Sequence, residues 1–113
     1  MYAPKNVLDK VRSILAVLSD DVAFKIFMYI ALRGEIPAST DVVERLKISL
    51  KLYYTRLKRL VDSNLLEKKG NHYRLTSFGK HIHDKLINYL AHLVVDYKRL
   101  EIIEKIFESD ALS

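Results

Sequence analysis

The last third of this sequence contains no helix-breaking residue: after Gly79 there is neither proline nor glycine. Apolar residues recur there at alternating spacings of four and three as far as Leu100, as in the seam of a coiled coil. The pattern predicts one helix from Thr76 or Ser77 to about Phe107, roughly 45–50 Å long at 1.5 Å per residue. The apolar seam consists of Leu86, Leu90, Leu93, Tyr97, Leu100, Ile103 and Phe107.

Such a helix is longer than the diameter of a compact globule of 113 residues, because the radius of gyration of that globule is only about 13 Å. The seam is therefore expected to extend beyond its own domain and to need a partner surface. A second copy across a two-fold axis is the simplest partner, so the seam is predicted to be a homodimer interface. The alternative is a helix that breaks near His92 and folds back on its own domain.

Two helices are predicted at the start of the chain. Apolar residues between Pro4 and Leu18 are spaced by three and four, which indicates a first helix with one apolar stripe. Ser19-Asp20-Asp21 then offers an N-cap and first-turn carboxylates for a second helix. Because Val22 to Leu32 is apolar nearly all round and Arg33-Gly34 can end a helix, this segment is predicted to be the central core helix.

The middle of the chain predicts an extended segment, a short helix and a longer one. Ile36-Pro37-Ala38 is expected to be extended because the residue before a proline avoids the helical region. Ser39 or Thr40 then caps a short helix that ends at about Lys47. After a break of about three residues, a longer helix runs from Leu50 to about Ser63; we call it the basic helix.

The basic helix has an apolar side and a polar side. At 100° per residue, the residues that share a face with Leu57 are Leu50, Tyr53, Leu60 and Val61. The opposite side carries Lys51, Leu52, Thr55, Lys58, Arg59 and Asp62, with Tyr54 and Arg56 on the flanks.

Two short alternating segments surround Gly70-Asn71 and predict a tight β-hairpin. Its strands occupy about residues 65–76. Tyr73 and Leu75 are expected to face the core, whereas His72 and Arg74 face outward. Lys68 and Lys69 are expected near the tip.

The net charge of +5 is concentrated in one segment. Between Lys51 and Arg74 there are seven bases and two acids, whereas the remaining 89 residues carry twelve of each. A neutral body with one basic segment that coincides with a helix and a hairpin suggests a surface for a polyanion. The alternative is a chance clustering of charge on a solvated face.

The sequence gives little support for a disulfide-linked, metal-binding, membrane or enzymatic protein. The absence of cysteine excludes disulfides, thiolate zinc sites, iron–sulfur clusters and cysteine nucleophiles. The longest apolar run, Val22 to Leu32, is too short to cross a bilayer, and no signal peptide is visible, so a cytoplasmic protein without a membrane partner is predicted. Since no glycine-rich phosphate loop and no Ser/His/Asp grouping occurs, we predict neither an enzyme nor a cofactor.

Three stretches carry a resemblance to a known family: ISLKLYYTRLKRL (48–60), VDSNLLEKK (61–69) and YRLTSFGK (73–80). Together they resemble the recognition helix, the passage into the first wing strand, and the Y-x-L-T-x-x-G join of a winged helix-turn-helix domain. More specifically, residues 20–80 resemble small archaeal regulators related to the ArsR and MarR groups. Asn64 stands where many relatives have glycine, and asparagine tolerates the left-handed conformation next best.

The resemblance implies a mainly α fold with a small β-hairpin wing and a long C-terminal dimerisation helix. It implies a single domain with an N-terminal helix at 1–18, a winged helix-turn-helix core at 19–76 and the dimerisation helix at 77–113. A recognition helix at about 50–63 would enter the major groove of DNA, while a wing at about 65–76 would track the phosphate backbone.

The function implied by the resemblance is that of a sequence-specific, double-stranded DNA-binding transcriptional regulator, homodimeric and nucleoid-associated. The base-reading candidates are Lys51, Tyr54, Thr55 and Arg56, with Lys58 between the two roles. The phosphate-binding candidates are Arg59, Lys68, Lys69, His72 and Arg74.

Some ArsR-like metal sensors have two histidines in their last helix, separated by ten residues, as His81 and His92 are here. Their two further ligand positions are occupied here by Gly79 and Val95, which cannot bind a metal through their side chains. No metal site is therefore predicted, and no small-molecule ligand is evident. Two other functions stay open: a winged helix that binds other proteins, and an architectural chromatin protein that binds DNA without sequence preference.

Overall fold

The computed structural model of the chain describes residues 4–37 and 41–112. It is mostly helical, with a small three-stranded antiparallel sheet and a long C-terminal helix. The cap predicted at Ser39 or Thr40 lies outside the described residues. The elements are α1 (Lys5–Ser19), α2 (Asp21–Arg33), β1 (Glu35–Pro37), α3 (Asp41–Leu46), α4 (Leu50–Asp62), β2 (Leu66–Lys69), β3 (His72–Leu75), α5 (Ser77–His81), a π-helix (Ile82–Ile87) and α6 (Asn88–Leu112).

The chain forms two compact units, one up to Lys80 and one from His81. In the first unit α2 is the central helix, as predicted. Its residues Ala23, Ile26, Phe27 and Ile30 are fully buried. Complete burial of side chains the size of Ile or Phe stabilises a fold by about 1.5–3 kcal/mol each, so α2 contributes substantially to hydrophobic stabilisation.

Local capping interactions set the ends of α2 as the sequence predicts. The carboxylate of Asp20 accepts a hydrogen bond of 2.9 Å from the backbone N–H of Ala23, and Asp21 lies in the first turn. At the other end Gly34 has φ +88° and its N–H donates to the carbonyl of Ile30 at 2.8 Å. The predicted left-handed conformation of Asn64 is also confirmed, with φ +64°.

The sheet has one strand more than the predicted hairpin. β3 is central and pairs antiparallel with β2 on one side and β1 on the other. The predicted extended segment at Ile36 supplies β1, in register with Tyr73. Ile36 is 2% exposed, so burial of its side chain anchors the short strand to the core.

Two predicted apolar faces are less buried than expected. Leu50 was assigned to the buried side of the basic helix but is 47% exposed, because the packed part of α4 begins one turn later at Tyr53. Among the apolar residues between Pro4 and Leu18 that form the predicted stripe of α1, Ile14 is buried and Leu18 is half-buried, whereas Val7, Leu8, Val11 and Leu15 are about half exposed.

Helical residues continue without a gap from Ser77 to Leu112, and no break occurs at His92. The sequence did not predict the π-helix at Ile82–Ile87, where the N–H of Asn88 donates to the carbonyl of His83, five residues earlier. α6 has 25 residues and is therefore about 37 Å long. Within residues 4–37 and 41–112, no helix combines the length and apolar character that crossing a membrane requires.

Candidate nucleic-acid interface

The packing of α4 determines which of its side chains face outward. Tyr53, Leu57 and Leu60 are at most 2% exposed and fix one side of the helix in the core. The opposite side is consequently presented to solvent. Its exposed residues are Lys51, Tyr54, Thr55, Lys58 and Asp62, while Arg59 is half-buried.

The exposed part of α4 begins at its first turn. The hydroxyl of Ser49 caps the helix by accepting from the N–H of Leu52 at 3.1 Å. The hydroxyl of Thr55 donates to the carbonyl of Lys51 at 2.7 Å, so it is already engaged within the helix. What Thr55 offers a partner is therefore mainly its methyl group.

Arg56, which is predicted to read a base, forms an ion pair within the fold. Its Nε donates to Oδ2 of Asp20 at 2.8 Å, and both side chains are only 23% exposed. The hydrogen bond from the Ala23 N–H lowers the pKa of Asp20, and the Arg56 guanidinium lowers it further. Because its charge is compensated by Asp20, Arg56 connects α4 to the start of α2 instead of reaching outward.

Arg74, which is predicted to contact phosphate, also forms an ion pair within the fold. Its Nε donates to Oε1 of Glu67 at 2.7 Å. These two residues are register partners on β3 and β2, and Glu35 is the register partner of Arg74 on β1. Two glutamates therefore flank Arg74 across the sheet.

The register of the hairpin separates its two lysines onto different faces of the sheet. Lys68 is the partner of Tyr73, and Lys69 is the partner of His72. Since side chains alternate between faces along a strand, Lys68 and Tyr73 lie on the face that also carries the buried Leu75. Lys69 and His72 are exposed on the other face, near the turn.

Lys58 of α4 and Lys68 of β2 border the same groove, which lies between the helix and the hairpin. The groove has a volume of about 220 Å³. Its other lining residues are Tyr54, Leu57, Val61 and Tyr73. The structure therefore brings together cations from the two basic elements of the sequence.

Five predicted site cations form no ion pair within the described part of the chain. They are Lys51, Lys58, Arg59, Lys68 and Lys69. Cations without a carboxylate partner therefore remain on α4 and on both faces of the hairpin, and we call these five residues together the basic surface.

Sequence reasoning missed Lys10, which lies in α1. Its ammonium is 3.4 Å from the carbonyl of Ser63, at the end of α4. Lys10 and Arg59 line the same shallow groove, together with Asp62. No local sequence signal reveals that Lys10 and Arg59 are neighbours, because they are far apart in sequence and come together only when α1 packs beside α4.

Comparison with models of known protein families gives no match, and a search of curated protein sequences gives none either. Among the described residues, no three His, Asp or Glu side chains are grouped so that they could hold a metal ion. The function is therefore inferred from the positions and ion pairs of the basic residues.

Proposed function

We propose that this protein is a sequence-specific regulator that binds double-stranded DNA through a winged helix-turn-helix domain and acts as a homodimer. The observation that supports this most directly is the common groove of Lys58 and Lys68. The groove joins α4 to the hairpin, and neither of these two lysines forms an ion pair within the described residues. Unpaired lysines on neighbouring elements suit the phosphates of a duplex.

In this proposal α4 is the recognition helix. It has 13 residues, about 20 Å, and the major groove is wide enough to admit a helix. Lys51, Tyr54 and Thr55 are exposed in its N-terminal half and are the residues that read base edges. A lysine donates to guanine O6 or N7, and the threonine methyl contacts the methyl group of thymine.

The hairpin is the wing, and it contacts the phosphate backbone. Lys68, Lys69 and His72 are the contacting residues, and Lys58 and Arg59 add contacts from α4. Arg56 and Arg74 have a different role, because each is held by a carboxylate of the fold. They position α4 and the wing.

The homodimer forms through α6. Leu90, Leu93, Tyr97, Leu100, Ile103 and Phe107 are 45–67% exposed, and Leu86 lies half-buried in the π-helix. An apolar seam of this length is unfavourable in water unless a partner covers it. Two recognition helices related by a two-fold axis would read half-sites about 34–36 Å apart.

Selection from random duplex DNA at physiological salt tests the proposal. We expect enrichment of a palindromic site, followed by tight binding of that site in fluorescence anisotropy. Lys58→Gln should weaken binding to all duplexes several-fold, while Lys5→Gln, an exposed lysine of α1, should leave it unchanged. Tight binding without an enriched site would indicate an architectural protein, and no duplex binding would exclude both DNA-binding functions.

A further inference from the structure

α6 carries a second apolar stripe, separate from the seam of the proposed homodimer. Its apolar members are Val95, Ile102 and Ile106, which are 49%, 59% and 55% exposed. At 100° per residue the centre of this stripe lies about 140° from the centre of the seam. The stripe therefore stays exposed to water when a second copy covers the seam, an expectation that rests on the proposed function.

The spacing of the second stripe is that of a coiled-coil seam. Arg99 lies between Val95 and Ile102, so that the four positions are separated by four, three and four residues. Valine and isoleucine are typical of the core positions of such seams. Exposed apolar side chains are unfavourable in water, and at this spacing one helix packing alongside covers them all. The stripe therefore fits a helix.

The charges of α6 are divided between its two sides. Over residues 88–108 the bases lie on the side of the second stripe, and the acids lie on the side of the seam. The bases are Lys98, Arg99 and Lys105, and the acids are Asp96, Glu101, Glu104 and Glu108. Lys105 pairs with Glu101 at 3.6 Å, whereas Lys98 and Arg99 form no ion pair within the described residues. The second stripe is therefore an apolar surface with two uncompensated cations.

Arg99 determines which kind of helix can cover the stripe. A guanidinium at the centre of a helix pair loses its water and needs a carboxylate opposite it. A second copy of the same face would bring cations against cations, which is unfavourable. An anionic membrane fits less well, because membrane-bound helices carry their cations on the polar face, whereas Arg99 lies within the apolar stripe. We infer that the second stripe binds an amphipathic helix of another protein, with an apolar heptad stripe and a carboxylate opposite Arg99.

Two synthetic helical peptides of about 21 residues, or three heptads, are the probes. Both have leucine at all core positions except a central one, which is glutamate in the acidic peptide and lysine in the basic peptide. This charged position also disfavours pairing of each peptide with itself. In calorimetric titration of the full chain, we expect a Kd on the order of 10–100 µM for the acidic peptide and roughly tenfold weaker binding of the basic one. Chemical shifts of the ¹⁵N-labelled chain should change between Val95 and Ile106.

Reversal of one charge gives the sharpest test. Arg99→Glu should reverse the preference, so that the basic peptide binds roughly tenfold more tightly than the acidic one. Arg12→Glu is the matched control, because it changes the net charge equally but lies on α1, and the preference for the acidic peptide should persist. Light scattering of the parent and both variants reports the oligomeric state separately from peptide binding.

Absence of binding, equal binding of the two peptides, shifts on the basic surface instead of α6, or equal effects of the two variants would overturn the inference. Binding to vesicles of phosphatidylcholine and phosphatidylglycerol that Arg99→Glu abolishes, with neither peptide bound, would assign the stripe to a membrane instead. A parent larger than a dimer that Arg99→Glu reduces to a dimer would assign it to another copy. A monomeric parent that still prefers the acidic peptide would support this inference while contradicting the homodimer of the proposed function.

Discussion

Replacing Asp20 with alanine removes two interactions at once, because a single carboxylate oxygen makes both. Oδ2 of Asp20 accepts from the N–H of Ala23 at 2.9 Å and from Nε of Arg56 at 2.8 Å. Loss of an N-cap costs about 1 kcal/mol. Loss of a charge-assisted hydrogen bond in a partly exposed site adds about 1 kcal/mol. We expect Asp20→Ala to lower the free energy of unfolding by about 2 kcal/mol, measured by urea denaturation.

Asp20→Asn separates the two contributions. Asparagine caps a helix about as well as aspartate, so only the charge interaction with Arg56 is lost, at about 1 kcal/mol. A double-mutant cycle of Asp20→Asn with Arg56→Gln should give a coupling energy of about 1 kcal/mol. A coupling near zero, or an Asp20→Ala variant as stable as the parent, would refute the reasoning.

The same carboxylate predicts a dependence on pH with a definite sign. The Ala23 N–H, and then the Arg56 guanidinium, lower the pKa of Asp20 below its ordinary value of 3.8. The folded state therefore favours the carboxylate. Its contribution is fully present above the unfolded pKa and is lost as the pH falls through the lower folded pKa. The stability difference between the parent and Asp20→Asn should shrink below about pH 4.

Three further predictions follow from single positions. The Tyr53 hydroxyl is buried without a hydrogen-bond partner in the described part of the chain, and burial raises its pKa to about 12. In urea denaturation, Tyr53→Phe should therefore leave the free energy of unfolding unchanged or raise it by up to about 1 kcal/mol. A Cβ at Gly79 would collide with the Leu65 carbonyl oxygen, so Gly79→Ala should lower the free energy of unfolding by about 2 kcal/mol or more, and an unchanged midpoint would contradict this. In light scattering, the proposed dimer should dissociate in Leu93→Glu and persist in Val95→Glu, which changes the opposite side of α6; a monomeric parent, or equal effects of the two variants, would contradict the predicted seam.

Features set by neighbouring residues could be predicted from the sequence. Asp20 before an apolar run and Gly34 after it fix the ends of α2, because capping involves only the next few backbone groups. The periodicity of α4 correctly separated Tyr53 and Leu57 from Lys51 and Lys58, since one helical period determines which side is buried.

Features that depend on distant partners could not be predicted. Asp20 and Arg56 are 36 positions apart, and the pattern of α4 alone left Arg56 as a free cation on its flank. Arg74 looked equally free, because the positions of Glu67 and Glu35 beside it depend on strand register. The π-helix has no periodic signal of its own over six residues.

The motif that joins the hairpin to the last helix could be recognised in the sequence, but the contacts that require its threonine and glycine are visible only in the structure. The Thr76 hydroxyl donates to the carbonyl of Asn64 at 2.6 Å and accepts from the N–H of Gly79 at 2.8 Å. Gly79 lies against the backbone of Leu65, where no side chain fits. The threonine and glycine of this motif are thus required by close backbone packing in the fold, whichever ligand the protein binds.

The salt dependence of duplex binding tests most directly whether the basic surface binds DNA. Five unpaired cations predict a slope of log K against log salt of about −4 to −5 per protomer. Lys58→Gln should make the slope shallower by about one. The charge-neutral double variant Glu67→Gln/Arg74→Gln should preserve it, because these two charges already compensate each other. A flat response in the parent, or an equal loss of slope in both variants, would contradict the account.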